Sequence, residues 1–315
     1  SEVQKEEQAV RRNKYPHSDN DWENFDVLHI NRLPSAATFM GYPTKELALK
    51  GDKSQSPFYQ SLNGTWKFHF VPRSDHRPMD FFHKGHDVSG WSDIKVPSNW
   101  ELQGFGYPFY VASGYGIKKN PPLIDVENSP VGSYKRTFTI PATWSKRQIV
   151  LYFGGVASAF YVWVNGEKVG YSQDSKTPSE FDITPYVKAG ENEIAVQVFK
   201  FSDGYYLEDQ DYWRFAGIQR DVYVYARPET HVRDYEVVTD LDGEYKNAIL
   251  NLHVELGKAN PGKIKGADVE VSVLDKAGNS IYTERKSWKR GESELHFRKE
   301  DRKSTRLNSS HLGIS

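Results

Sequence analysis

Residues 61–228 repeatedly alternate apolar and polar side chains with a period of two. In the run SLNGTWKFHFV, Trp66, Phe68 and Phe70 fall on one side of a strand and polar residues lie between them. Such alternation is typical of half-buried strands, because successive side chains point to opposite faces. Similar runs occupy 132–140, 147–155, 158–166, 193–201 and 220–228. No long helical period competes, so the pattern predicts an all-β fold with a jelly-roll β-sandwich over 61–228.

Shorter strand-like runs follow Pro228 at a spacing of roughly ten residues. They occupy 233–241, 246–256, 267–275, 279–288 and 293–298. This cadence favours an immunoglobulin-like sandwich, for which about seven strands are expected. We therefore expect residues 229–300 to form a partial immunoglobulin-like domain.

The two ends of the chain lack this alternation. Residues 1–60 are polar, with scattered hydrophobic side chains and no sustained period, and are interpreted as an extended N-terminal arm over a larger body. From Asp301 onward the sequence DRKSTRLNSSHLGIS loses the preceding pattern. We interpret residues 301–315 as a non-native tail and leave them out of the fold prediction.

Composition excludes several classes of function. The chain has 41 basic and 42 acidic residues, so it lacks the positive field that nucleic-acid binding requires. No apolar run approaches the ~20 residues that span a bilayer, so no membrane partner is expected. Cysteine is absent, which removes disulfides, thiolate zinc sites and cysteine nucleophiles. The sequence leaves the compartment open between cytoplasm and periplasm.

Residues 202–222, SDGYYLEDQDYWRFAGIQRDV, combine five acidic side chains with five aromatics and two arginines. Carboxylate pairs cut glycosidic bonds, and Asp209 and Asp211 could share one face of a strand. The two arginines nearby favour ion pairs, which lower carboxyl pKa values and so disfavour a general acid. We therefore interpret these two aspartates, together with Glu208, as structural.

Asp203 has a different setting, in a Ser-Asp-Gly turn directly after a strand-like run. A short acid there can be displayed beyond the edge of the sheet, where Gly204 leaves room for a ligand. The same turn also suits an Asx-turn in which the carboxylate bonds its own backbone. Both interpretations stay open on the residues alone.

Two histidines, His83 and His86, lie three residues apart in the segment HKGH. A metal site needs further ligands, and none is close in the sequence. We interpret them as solvated loop histidines.

Longer blocks carry a resemblance to a known family. They are DWEN and INRLP in the arm, SLNGTWKF, VPSNWELQGFGYPFY, KNPPLIDVENSPVGSYKRTF, GVASAFYVWVNGEKVGYSQDSKTPSEFDIT and the acidic stretch above. In order, they resemble the N-terminal third of bacterial β-galactosidases of glycoside hydrolase family 2. The resemblance implies a jelly-roll sugar-binding domain, an immunoglobulin-like domain and then a (β/α)₈ barrel that carries two catalytic glutamates.

That barrel is not in this sequence, so no catalytic residue is expected in the chain. The parent protein is expected to be a retaining enzyme that hydrolyses terminal β-D-galactosyl bonds, and the fragment alone is expected to be inactive.

The resemblance also assigns binding residues. Asp203 matches an aspartate that binds the galactosyl unit and helps to hold a sodium ion; the family's magnesium site lies in the missing barrel. Ala112 stands where the family has a sugar-binding asparagine, and an alanine cannot replace the hydrogen bonds of an amide. Ser113, the next residue, is the candidate substitute.

Two other roles remain in view. One is a freestanding jelly-roll carbohydrate-binding module, in which exposed tyrosines stack on sugars: Tyr107, Tyr110, Tyr205 and Tyr206. The other is assembly, because the family resemblance implies a homotetramer in which the arm and jelly roll contribute subunit contacts.

Overall fold

The computed structural model describes residues 18–208, 210–258, 267–289, 292–301 and 312–314. These residues form two compact units. Unit 1 takes the described residues of Ser1–Ser35, Gln60–Ser145 and Ile149–Tyr225, and unit 2 those of Ala36–Tyr59, Lys146–Gln148 and Ala226–Ser315. Strands account for 46% of the chain and helices for 11%, so the predicted all-β class is confirmed.

The strands up to residue 227 are numbered in chain order. They are β1 His29–Ile30, β2 Tyr59–Ser61, β3 Gly64–Val71, β4 Ser92–Val96, β5 Phe109–Val111, β6 Val131–Ile140, β7 Gln148–Phe153, β8 Val156–Ala157, β9 Ala159–Val164, β10 Glu167–Gln173, β11 Ser179–Asp182, β12 Gly190–Phe199, β13 Tyr212–Arg214, β14 Gly217–Ile218 and β15 Val222–Arg227. Short 3₁₀ helices span Asp21–Glu23, Lys53–Gln55, Ser74–His76, Trp100–Gln103, Val126–Asn128, Ala142–Trp144 and Asp203–Tyr206. The α-helix α1 spans Lys45–Lys50 in unit 2.

Unit 1 is built on a seven-stranded sheet in the order β1-β10-β9-β12-β6-β3-β4, whose neighbouring strands all pair antiparallel. A second sheet has the order β11-β7-β15-β2, and two short pairs, β13-β5 and β14-β8, complete the unit. The predicted strand runs are present. The arm is less separate than predicted, because it supplies the edge strand β1 to the larger sheet.

The central strand β9 is buried along its whole length, because both faces of its sheet are covered. On one face Phe160 contacts Phe153 and Phe181 of the second sheet, at ring-centroid distances of 4.9 and 6.0 Å. On the other face Tyr161 belongs to a cluster with Trp22 of the N-terminal segment. Trp22 also stacks on the Phe199 ring of that cluster, at a centroid distance of 4.2 Å. Burial of these aromatic surfaces therefore fixes the arm to the sheet that carries the candidate site.

Gly170 in β10 allows the edge strand β1 to approach. A Cβ atom at this position would lie 2.3 Å from the Ile30 carbonyl oxygen and 2.7 Å from the Phe181 ring. Gly170→Ala is expected to lower the free energy of unfolding by about 1–3 kcal/mol, because backbone or ring must shift. Urea denaturation of the chain measures the change. Gly90→Ala, whose Cβ would meet nothing within 4 Å, is the control, and an equal loss in both variants would contradict the prediction.

Unit 2 contains all five strands predicted for the second sandwich. They are β16 Thr230–Leu241, β17 Ala248–Lys258, β18 Ala267–Leu274, β19 Ser280–Trp288 and β20 Glu294–Asp301, and a short strand β21 spans Leu312–Ile314. They form two three-stranded sheets, β16-β17-β20 and β19-β18-β21. Both sheets contribute to one apolar core, built on Leu252, Val254, Val271, Trp288 and Phe297.

Most of the predicted tail, 302–311 and 315, lies outside the described residues, and its interpretation as non-native stays a prediction. The pairing of β21 with β18 does not test it. Among the described residues, no helix has the length and apolarity required to cross a membrane.

Candidate functional site

Asp203 begins the 3₁₀ helix that follows β12, and its side chain is only 1% exposed. Its Oδ1 accepts the Gly204 N–H at 3.0 Å, a local contact of the kind that the Asx-turn interpretation expected. Burial raises the pKa of its carboxyl group to about 6, against the opposing effect of hydrogen bonds from Gly204 and Gln173. Of the two interpretations left open, the local backbone contact is the one observed in unit 1, and the role of Asp203 in sugar binding stays a prediction.

The polar surroundings of Asp203 contain unsatisfied oxygen atoms. Gln173 Oε1 and the Tyr171 hydroxyl are buried without a hydrogen-bond partner among the described residues. A Cβ atom on Gly204 would stand 2.9 Å from Gln173 Oε1, so the glycine keeps this oxygen uncovered. Buried polar atoms are normally paired, and an unpaired one indicates a missing partner. A carboxylate beside an amide oxygen fits the sodium ion that the family resemblance implies, since hard cations prefer oxygen ligands.

Ser113 and Ala112 are exposed in the loop that follows β5. The Tyr205 hydroxyl of the Asp203 helix donates to the Tyr115 carbonyl of this loop at 2.7 Å. Tyr115 also packs against the apolar cluster that contains Tyr205 and Tyr206. The helix that begins at Asp203 and the loop that carries Ser113 thus pack on one apolar cluster, while Asp203 itself is buried and Ser113 is exposed.

Two of the four tyrosines predicted to stack on sugars are buried. Tyr205 and Tyr206 are 4% and 8% exposed, because their rings anchor the Asp203 helix and their hydroxyls bond loop carbonyls. Tyr107 and Tyr110 are 74% and 51% exposed, as expected of a binding surface. The sequence reasoning missed Trp213, which is 52% exposed.

Trp213 pairs with Tyr110 across β13 and β5, and their ring centroids lie 5.8 Å apart. The two rings form an exposed aromatic surface. The period-two alternation in YWRF could have revealed this surface, because it places Trp213 and the buried Arg214 on opposite faces of the strand.

The other acidic residues of 202–222 that the structure describes bond to residues of other segments. Glu208 accepts the Ser175 N–H at 2.7 Å and its hydroxyl at 2.5 Å, and burial raises the pKa of the Glu208 carboxyl. Asp211 accepts a hydrogen bond from the Tyr110 hydroxyl. Arg214 is buried, with its guanidinium 4.4 Å from the Tyr212 ring centroid. Asp209 lies outside the described residues.

A family model described as "Glycosyl hydrolases family 2, sugar binding domain" matches residues 59–228. The β-galactosidase of Priestia megaterium (strain DSM 319 / IMG 1521) is 46% identical over 249 residues, which are 78% of this chain and 24% of that protein. The β-galactosidase of Clostridium acetobutylicum is 42% identical over 267 residues, 83% of this chain and 29% of that protein. The chain thus spans about a quarter of the length of these relatives.

Solved structures share the fold. Bacteroides uniformis β-glucuronidase 2 superposes with a TM-score of 0.58 at 23% identity, over 77% of this chain and 27% of that one. A Bifidobacterium dentium β-glucuronidase gives 0.58 at 18% identity, over 79% and 42%. The predicted similarity to family 2 β-galactosidases is confirmed by the sequence relatives. The chain therefore belongs to glycosyl hydrolase family 2, and its residues 59–228 match the sugar-binding domain of that family.

Proposed function

We propose that this chain is the N-terminal, sugar-binding part of a retaining β-galactosidase. The parent enzyme removes terminal β-D-galactosyl residues through a covalent glycosyl-enzyme intermediate. The observation that carries the proposal is the identity of 46% to a β-galactosidase over 249 residues. The acid/base and nucleophile belong to the part of the parent that this chain does not contain.

The role of this chain is to bind and orient the sugar. The Asp203 carboxylate is the acceptor for galactosyl hydroxyl groups, and Gln173 lies in hydrogen-bonding contact with it. These two side chains would hold the sodium ion, which supplies a fixed positive charge for sugar oxygens. A buried carboxyl group whose pKa is raised by desolvation is typical of a binding site. Ser113 is proposed as the second sugar contact, on the exposed loop after β5.

A chimera tests this role. The segment of the Priestia megaterium β-galactosidase that matches this chain is replaced by residues 20–300, and hydrolysis of a chromogenic galactoside is measured. Asp203→Asn is expected to lower kcat/KM by about ten- to a hundredfold, the effect of weakening hydrogen bonds to a charged group. It should also remove the response of the rate to added sodium.

Asp211→Asn is the matched control in the same stretch, because Asp211 contacts an exposed tyrosine of the same unit. Its kcat/KM should stay within about threefold of the unaltered chimera, since an exposed contact contributes little. Equal losses in the two variants would refute the special role of Asp203. The 315-residue chain alone is expected to hydrolyse no galactoside above the buffer background.

The exposed rings of Tyr110 and Trp213 favour the second candidate, a freestanding carbohydrate-binding module. Aromatic faces of this kind stack on sugars without any catalytic domain. Titration of the 315-residue chain with galactose, followed by tryptophan fluorescence, separates the two roles. Millimolar binding that Trp213→Ala abolishes supports the module, and absence of binding supports a part of a larger enzyme.

A further inference from the structure

Two histidines and a glutamate meet on the outer face of one sheet of unit 2. His253 in β17 and His296 in β20 are direct partners in the antiparallel register. Glu294 lies two residues before His296, so it points to the same face of β20. The intervening residues of both strands, Leu252, Val254, Leu295 and Phe297, face the core. The alternation of the strands therefore presents the three polar side chains together.

The ligand atoms of this cluster are at metal-binding spacing. His253 Nε2 lies 3.2 Å from Glu294 Oε2, and His296 Nε2 lies 3.6 Å from the same oxygen. Ligand atoms at ~2.0–2.2 Å from a tetrahedral zinc ion are roughly 3.3–3.6 Å apart. All three ligand atoms lie within 4.8 Å of one another. The two imidazole rings stack at a centroid distance of 4.5 Å and an interplanar angle of 11°, so both present their ring nitrogens from neighbouring strands.

Hydrogen bonding among the described residues does not account for the arrangement. His253 Nε2 is buried and has no hydrogen-bond partner in that part of the chain, despite its approach to Glu294. An unpaired buried nitrogen is costly. A metal ion would satisfy it, since neutral imidazole is the commonest protein ligand for transition metals.

We propose that His253, Glu294 and His296 bind a divalent transition-metal ion of the zinc class. Two imidazoles and one carboxylate are a ligand set that zinc accepts, with one position left for water or a fourth ligand. Glu236 in β16 is the register partner of His253, and it lines an open groove of about 460 Å³ together with His253 and His296. Its carboxylate is available as the fourth ligand.

Charged groups around the groove set the conditions for binding. The groove is also lined by Glu284, Lys286 and Arg298. Lys286 Nζ donates to the His296 carbonyl and lies 3.3 Å from Glu284 Oε1, so the positive charge of Lys286 is partly offset.

Titration of the full 315-residue chain with Zn²⁺ at pH 7.5, followed by calorimetry, tests the site, and Co²⁺ supplies a visible absorption band characteristic of tetrahedral ligands. One equivalent is expected to bind. His296→Ala should weaken zinc binding at least about tenfold and remove the cobalt band. Glu294→Gln keeps the side-chain shape and should weaken binding as well. Both positions are exposed, and far-UV circular dichroism checks that the variants fold.

The control is the double variant His83→Ala/His86→Ala, which removes the two histidines of the segment HKGH. It should bind zinc as the unaltered chain does. Failure to bind a stoichiometric ion, or unchanged affinity in both His296→Ala and Glu294→Gln, would overturn the proposal. So would an equal loss in the His83/His86 control, because the ion would then be held elsewhere.

Discussion

Lys200→Met is expected to lower the free energy of unfolding by about 3–5 kcal/mol, the cost of leaving one charge of a buried pair without its partner. Lys200 Nζ lies 2.6 Å from Glu101 Oε1, and the side chains are 6% and 0% exposed. The other oxygen of Glu101 accepts the Ala216 N–H at 3.0 Å. The pair therefore joins three segments of unit 1. Urea denaturation measures the change.

A second substitution, at Glu101, tests whether the loss of stability comes from the unpaired buried charge. Lys200→Met/Glu101→Gln should recover at least half of the loss, because the amide has no charge and still accepts the Ala216 N–H. The pair Lys246–Glu244 is the control, with both side chains 74% exposed. Lys246→Met should change stability by less than about 1 kcal/mol. A double variant as unstable as Lys200→Met would show that lost packing is responsible instead.

The strands were predictable because their signal is local. Alternation reveals which face of a strand is buried, and the pair Asn165-Gly166, a dipeptide typical of tight hairpin turns, lies between β9 and β10. Both residues adopt positive φ there, at 52° and 88°. Strong local signals of this kind need no knowledge of the remainder of the fold.

The burial of particular polar and aromatic groups was not predictable in the same way. Tyr205 and Tyr206 read as exposed sugar platforms, yet the loop near Tyr115 covers them. For Asp203 the sequence left a displayed and a self-bonded carboxylate both open, and the structure buries it near Gln173 and Tyr171. In each case the deciding contact comes from a segment far away in sequence, which no local period reveals.

Candidate metal ligands show the same limit. The sequence draws attention to His83 and His86, which are neighbours along the chain. The cluster in the described residues instead joins His253 to Glu294 and His296 of another strand. Only the pairing register of β17 and β20 brings them together. The tetramer and the magnesium site of the parent stay predictions, because they depend on further chains or on segments outside this chain, and the compartment stays open.

The second large effect expected is a pH-dependent gain of stability in Asp203→Asn. The ordinary pKa of an aspartate is 3.8, and burial raises that of Asp203 to about 6 in the folded chain. The folded state therefore binds more protons than the unfolded state between these values, and its stability falls as the pH rises through them. At ~1.4 kcal/mol per pH unit, ionisation of Asp203 costs the folded state about 3 kcal/mol above pH 6.

An asparagine cannot ionise, and its oxygen can still accept the Gly204 N–H that Asp203 accepts. Asp203→Asn should therefore be more stable than the natural chain by about 3 kcal/mol at pH 8 and by only about 1 kcal/mol at pH 4.5. Urea midpoints across this range measure the difference, with the exposed Asp26→Asn as the control for a lost surface charge. A difference that stays constant with pH would show that Asp203 carries no ionisation cost. A gain that grows with pH, together with lost activity in the chimera, would mean that this acid is kept for binding at the expense of stability.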